Sequence, residues 1–292
     1  MMHPGQSFES YLVETVLGRG GEAAVYRARG GGPAHPVVAL KVLDDAHRDQ
    51  GCTGRLAREF RLADRLRHPH IVEVYDHGPF WIAMQYVDGG NVTTLTTLDY
   101  RLQALGQIAA ALDHAHHDGI VHADVKPTNI LVHQHFSQDG AVLIDFGVAY
   151  ALAEDVWHRP PHVLASLPYA APELLQGRLP QAATDEYALA CTALEVLTGR
   201  TPFAGDSPLA LVDAHLHLPP PEVSHAISWL SRSFDVVLAR AIAKDPDRRY
   251  ESCTEMMRYV TDAVRRGVHQ TSAVRVVPSE DSLDGVKSPE RW

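Results

Sequence analysis

GIVHADVKPTNILV, residues 119–132, sets a histidine, an aspartate, a lysine and an asparagine within eight positions between two short apolar runs. A second stretch, LIDFG at 143–147, adds Asp145 soon after. Two carboxylates and a carboxamide thus stand beside short strand-like runs, with Pro127 shaping the loop between them. Taken singly, each is an ordinary turn or cap residue; taken in this order they describe a site. Asn129 and Asp145 are hard oxygen donors of the kind that suit Mg²⁺, which keeps a few protein oxygens and fills its shell with phosphate. Asp124 has a separate task open to it, orienting a hydroxyl nucleophile and accepting its proton.

Upstream, LGRGGEAAVYRA (17–28) carries small residues at 18, 20, 21 and 23. Such a turn closes over a phosphate chain and presents N–H groups to it, although a plain β-hairpin reads the same way. VVALKVL (37–43) places Lys41 in an apolar run, on one face with Val37 and Ala39 by period-two alternation. A lone strand lysine usually points to solvent; facing a cleft, it needs an acid or an anion. Glu59, the one glutamate of GRLAREFRLADRL (54–66), is a candidate partner, with local pairing to Arg55, Arg58 and Arg61 as the alternative.

The 292 residues suffice for one large domain or two lobes around a cleft, with 45% hydrophobic and 21% charged residues, an ordinary globular balance. A net charge of -10 argues against nucleic acid as main partner, because phosphate binding needs a basic footprint. Three scattered cysteines, Cys52, Cys191 and Cys253, form no CxxC pair, so a reduced cytoplasmic setting is expected. No 18-residue apolar run and no signal-like N-terminus occur, so no membrane span is expected. The histidines at 114, 116, 117, 133 and 135 have no zinc-site spacing to cysteine or carboxylate.

From Tyr11 to Val87 the pattern is short β-branched or aromatic runs with one helix at apolar positions 56, 60, 63 and 66. After Asp88-Gly89-Gly90 it changes to long Ala- and Leu-rich helical segments, with NILV and AVLIDFG as the strand-like exceptions. The expectation is an α+β chain: a small antiparallel β lobe with one helix over about 8–87, a hinge at 85–90, and a larger mainly α lobe to about 262. Ligands bind where two such units meet. From about Arg266 the sequence is polar without period and reads as a disordered tail to 292.

VALK, a helix glutamate, HADVKPTN, DFG, then YAAPE (169–173), DEYALA (185–190) and KDPDRRY (244–250) occur in that order. Together they resemble the protein kinases of Ser/Thr type, in particular bacterial kinases of the eukaryotic-like class, over residues 8 to about 262. The resemblance implies a bilobal protein-kinase-like fold and an enzyme that moves the γ-phosphate of ATP, with Mg²⁺ or Mn²⁺, to Ser/Thr hydroxyls of protein substrates. By similarity, Gly18, Gly20 and Ala23 cover the ATP phosphates, Lys41 contacts the α and β phosphates, and Glu59 positions Lys41. Asp124 is the implied base, Lys126 meets the transferred phosphate, and Asn129 and Asp145 hold metal. Leu17, Val25 and Ala39 above and Leu131 below would enclose the adenine, with Met84 at the back and the backbone of Gln85 to Val87 on its edge. His122 and Phe146 resemble packing residues of an internal spine. Glu173 with Arg249 resembles a structural pair, and Asp185 the support of the catalytic loop.

Two positions depart from the pattern. Ala23 stands where many kinases have a third glycine. Ala123 stands where most have an arginine that pairs with a phosphate on the activation segment. The segment from Val148 to Ala165 contains no serine or threonine. Activity is therefore expected not to depend on Ser/Thr phosphorylation there, with packing or an activating partner protein holding the active state. A pseudokinase scaffold and a small-molecule phosphotransferase are the competing readings; retention of Lys41, Asp124 and Asp145 weighs against the first, YAAPE and KDPDRRY against the second.

Overall fold

The computed structural model describes residues 2–30, 37–152 and 163–274. The N-terminal part contains β1 (Ser7–Phe8), β2 (Tyr11–Arg19), β3 (Ala23–Gly30), β4 (Val37–Leu43), the helix α1 (Gln50–Arg65), β5 (Val74–Gly78) and β6 (Trp81–Gln85). The strands form one antiparallel sheet in the order β1-β2-β3-β4-β6-β5. Alternation along the strands gives this sheet two distinct apolar faces. Ala24, Tyr26, Ala28, Val38, Leu40, Val42, Trp81 and Ala83 form the outer cluster. Ala23, Leu43 and Ile82 belong to a second cluster that continues through α1 into the rest of the chain.

The helix starts at Gln50, earlier than its apolar spacing predicts, because Asp49 caps it by accepting from Gly51 and Cys52 N–H. Beyond the sheet follow α2 (Leu98–His117), β7 (Ile120–Val121), β8 (Ile130–Val132), α3 (Phe136–Asp139), β9 (Ala141–Leu143), β10 (Tyr150–Ala151), α4 (Pro172–Leu175), α5 (Ala182–Thr198), α6 (Pro208–His217), α7 (Arg232–Ala241) and α8 (Cys253–Val274). α5 is buried almost all round, as an apolar helix in the middle of a lobe must be, and stops at Gly199, whose φ of 75° reverses the chain. This is the bilobal arrangement of a small antiparallel sheet with one helix on a larger helical body.

Two short pairings extend the expected strands: β8 pairs with β9, and the two-residue β10 pairs with β7. The link between lobes is tied down by Gly89, whose N–H donates to Val132 O at 2.9 Å. A Cβ there would come within 2.5 Å of that carbonyl, so glycine alone fits. The expected tail from residue 266 needs correction, since α8 continues to Val274. Gly267 is buried against the backbone of Trp229 and Ser231, close enough that a Cβ would lie 2.4 Å from Trp229 O. That backbone approach keeps the helix docked where side-chain polarity gave no sign of it. Residues 275–292 lie outside the described residues. Among the described residues no helix is long and apolar enough to cross a membrane.

Candidate active site

The first cluster joins three elements. Lys41 on β4 donates to both carboxylate oxygens of Glu59 on α1 at 2.8 Å and to Asp145 Oδ1 at 3.2 Å. β4 presents Lys41 on its inner face opposite Val25 on one side and Ile82 on the other. Glu59 is 7% exposed, so its charge is supported almost wholly by that ammonium. Burial works to lower the Lys41 pKa, but the Glu59 and Asp145 carboxylates outweigh it and hold the ammonium above its ordinary range. With two acids on one base, burial raises the Glu59 carboxyl, whereas Asp145 is held below its usual value by Lys41 despite its own burial. Asp145 sits at a left-handed φ of 68°, and Gly147 lets the turn close: a Cβ there would stand 3.1 Å from Asp145 Oδ1 and 3.3 Å from Glu59 Oε2.

The second cluster lies on the loop between β7 and β8. Lys126 Nζ donates to Asp124 Oδ2 at 2.7 Å and to Ser166 Oγ at 2.9 Å, and the Ser166 hydroxyl donates to Asp124 Oδ1 at 2.5 Å. Asn129 Nδ2 donates to the backbone oxygen and Oδ2 of Asp124 at 2.9 and 3.0 Å. Beneath them Asp185, fully buried on α5, accepts from His122 N–H at 2.8 Å, Ala123 N–H at 2.7 Å and His116 Nε2 at 2.7 Å. Ala123 is thereby held at φ 62°, a conformation unusual for a residue with a Cβ. His122 is buried edge-to-face on Phe146 at 4.8 Å; its Nε2 meets Ile144 O and its Nδ1 accepts from Asp124 N–H. Both ring nitrogens are engaged in packing, so His122 has none to offer a reacting group.

The remaining predicted residues line the inner sheet face and the link. Register sets Ala39 opposite Met84, while Gln85 N–H is turned outward to Glu73 O. Leu17 is 43% exposed on β2 near the glycine-rich turn, which Gly18, Gly20 and Ala23 form with a Gly20 N–H to Ala23 O bond of 2.9 Å. Val87 is buried in the link, and Leu131 on β8 is half-buried against the core.

As for a divalent cation, the donors fit. The amide nitrogen of Asn129 is committed to Asp124, which leaves its carbonyl oxygen as acceptor, and Asp145 supplies a depressed carboxylate. Sequence reading did not find two contacts of α1. Arg55 holds Glu22 of the glycine-rich turn at 2.7 Å through both carboxylate oxygens, and Arg58 Nη1 donates to Ala149 O at 2.8 Å. The density of arginines around Glu59 was the only signal. Asp113, His116 and Cys253 also converge, but Asp113 caps α8 and His116 is spent on Asp185.

Comparison with known proteins gives the same arrangement a lineage. The serine/threonine-protein kinase PknJ of Mycobacterium tuberculosis is 42% identical over 278 residues, which cover 90% of this chain and 47% of PknJ. PknH of the same organism is 35% identical over 267 residues, 86% of this chain and 41% of PknH. The chain therefore spans about half the length of the curated relatives it matches. The crystal structure of the M. tuberculosis PknI kinase domain superposes with a TM-score of 0.67 at 32% identity, over 90% of this chain and 99% of that one. The family described as protein kinase domain matches residues 11–260, which takes in β2 to β6, both clusters and the first turns of α8. On this extent of sequence and fold, the chain belongs to the protein kinase domain family.

Proposed function

We propose that the chain transfers the γ-phosphate of ATP to serine and threonine hydroxyls of proteins, its own included. The observation that carries this reading is the intact Lys41, Glu59 and Asp145 cluster, assembled from positions up to 104 residues apart. A buried cluster of one base and two acids is costly to maintain, and charges held at such a cost mark a functional site more often than a structural one. Lys41 offers its charge to the α and β phosphates, and Glu59 fixes where that charge stands. The turn of Gly18, Gly20 and Ala23 covers the phosphates, and Leu17, Val25, Ala39, Met84 and Leu131 take the adenine against the link backbone from Gln85 to Val87. Asn129 and Asp145 would hold Mg²⁺ or Mn²⁺, which when bound neutralises phosphate oxygens. Asp124 orients the acceptor hydroxyl and takes its proton, and Lys126 steadies the moving phosphoryl group. The Ser166 hydroxyl, already hydrogen-bonded to both, marks where an alcohol can approach them.

With Ala at 123 and no serine or threonine from Val148 to Ala165, the active arrangement is held by packing or by a partner protein; residues 153–162 lie outside the described residues. The test compares wild type, Lys41→Met and Asp145→Asn for ³²P transfer from ATP to a protein acceptor and to an aminoglycoside. It adds a thermal-shift titration of ATP with and without Mg²⁺. Protein labelling by wild type alone, with the Mg²⁺-dependent shift lost in Asp145→Asn, is expected. Equal labelling in all three, or preference for the aminoglycoside, sinks the reading. Phosphatase treatment of active wild type should leave turnover unchanged.

A further inference from the structure

With no guanidinium beside Asp124, something else must fix the start of the activation segment. That start is ordered in the structure. Tyr150 and Ala151 pair with Val121 and Ile120, Leu152 N–H donates to Gly119 O at 2.9 Å, and Ala149 is buried. The Ala149 carbonyl accepts a side-chain hydrogen bond from across the cleft, the 2.8 Å bond from Arg58. Arg58 precedes Glu59, the residue that holds Lys41, so one turn of α1 grips the phosphate-side lysine and the activation segment together.

We propose that Arg58 is a positioning residue for phosphoryl transfer, one that couples the placement of Glu59 to the segment after Asp145 without any phosphate. This rests on reading the chain as a kinase. A charged donor on a carbonyl is stronger than a neutral one, and the bond joins two elements that are otherwise 91 residues apart. When it is lost, α1 and the segment can separate without either unfolding, because each keeps its own backbone hydrogen bonds.

The experiment measures kcat and KM for ATP and for a peptide acceptor in wild type, Arg58→Ala, Arg58→Lys and Arg61→Ala, an exposed control on the same helix. Amide hydrogen exchange at Ala151 and Leu152 and thermal midpoints are followed alongside. For Arg58→Ala we expect a fall in kcat of roughly tenfold or more, with KM for ATP within about twofold and faster exchange at Leu152. Arg58→Lys should recover part of the loss, and Arg61→Ala should behave as wild type. The proposal is overturned if Arg58→Ala keeps its kcat, if its exchange at Leu152 is unchanged, or if its loss only follows a lower midpoint that Arg58→Lys shares. An inactive wild type would instead remove the kinase reading itself.

Discussion

Replacing Asp185 by asparagine is the most informative single change to this molecule. The carboxylate is fully buried and accepts from three donors, at 2.8, 2.7 and 2.7 Å. Asparagine keeps one acceptor oxygen and turns an NH₂ group toward the other donors, so at least one buried backbone N–H, at His122 or Ala123, loses its partner. One unsatisfied buried donor costs about 1–3 kcal/mol. The left-handed Ala123 holds a further 1–2 kcal/mol, roughly, that the same hydrogen bonds keep in check. Relaxation of that strain offsets part of the loss, so the variant should lose about 1–2 kcal/mol in urea unfolding. Release of Ala123 also shifts Asp124, and a displacement on the order of 1 Å costs about a hundredfold in kcat. Glycine at 123 adopts φ 62° without a Cβ penalty, so Asp185→Asn combined with Ala123→Gly should regain about fivefold in kcat, some 1 kcal/mol. Urea titrations and steady-state kinetics on wild type and the two variants decide it. If Asp185→Asn matches wild type in both, or if glycine recovers none of the lost turnover in a folded protein, the account of a strained loop held by Asp185 is wrong.

Two other outcomes follow from buried charges. Arg249 and Glu173 face each other through paired bonds of 2.8 and 2.9 Å, both side chains at most 2% exposed. Glu173→Gln or Arg249→Met should each cost about 3–5 kcal/mol in chemical unfolding while the double variant costs less than their sum; additive losses would show the pair to be independent. His215 is fully buried and its pKa is lowered by burial, and then by Lys244, to about 4. Its folded value lies below its unfolded one, so its stabilisation is present above about pH 6.5 and is lost as pH falls toward 4, by about 3 kcal/mol. Glu186, raised by burial to about 8, acts in the opposite sense over part of this range, so wild type is to be compared with His215→Gln. The variant's midpoint should fall less steeply with acid; parallel curves would refute the assignment.

Asp124, Asn129 and Asp145 stood out as a cluster because two carboxylates and a carboxamide fall in order beside short apolar strands, whereas Lys41 in its strand read equally as a lysine facing solvent. Glu59 was half legible: it stood out as the one glutamate of its helix, but arginines on either side left local pairing open. What alternation and periodicity cannot carry is backbone handedness and very short pairing. Ala123 at φ 62° looks in sequence like an ordinary small residue, and its conformation is imposed by Asp185, 62 positions away. β7 and β10 are two residues each, too short for any period, and are fixed by each other. The continuation of α8 past Arg266 escaped notice because the contact at Gly267 is made by a buried glycine backbone, which leaves no apolar signal.

The two ends of α1 are fastened by different means. Just past its C-terminus, Val72 N–H donates to Leu143 O and Leu143 N–H to His70 O, both at 2.9 Å, so the chain leaving the helix is stitched to β9 in the larger lobe. Leu62, Leu66, Ile71 and Val72 share one apolar cluster with Leu143. Toward its N-terminus the ion pairs of Arg55 and Glu59 and the Arg58 bond to Ala149 O are added to the apolar packing of Cys52 and Leu56. Mechanically this makes α1 a lever of about 24 Å with its fulcrum at residues 70–72. Arg55, gripping Glu22, lies one turn farther from that fulcrum than Glu59, gripping Lys41. Any tilt of the helix must therefore carry the tip of the glycine-rich turn through a wider arc than the lysine, so the two are geared together at unequal ratio.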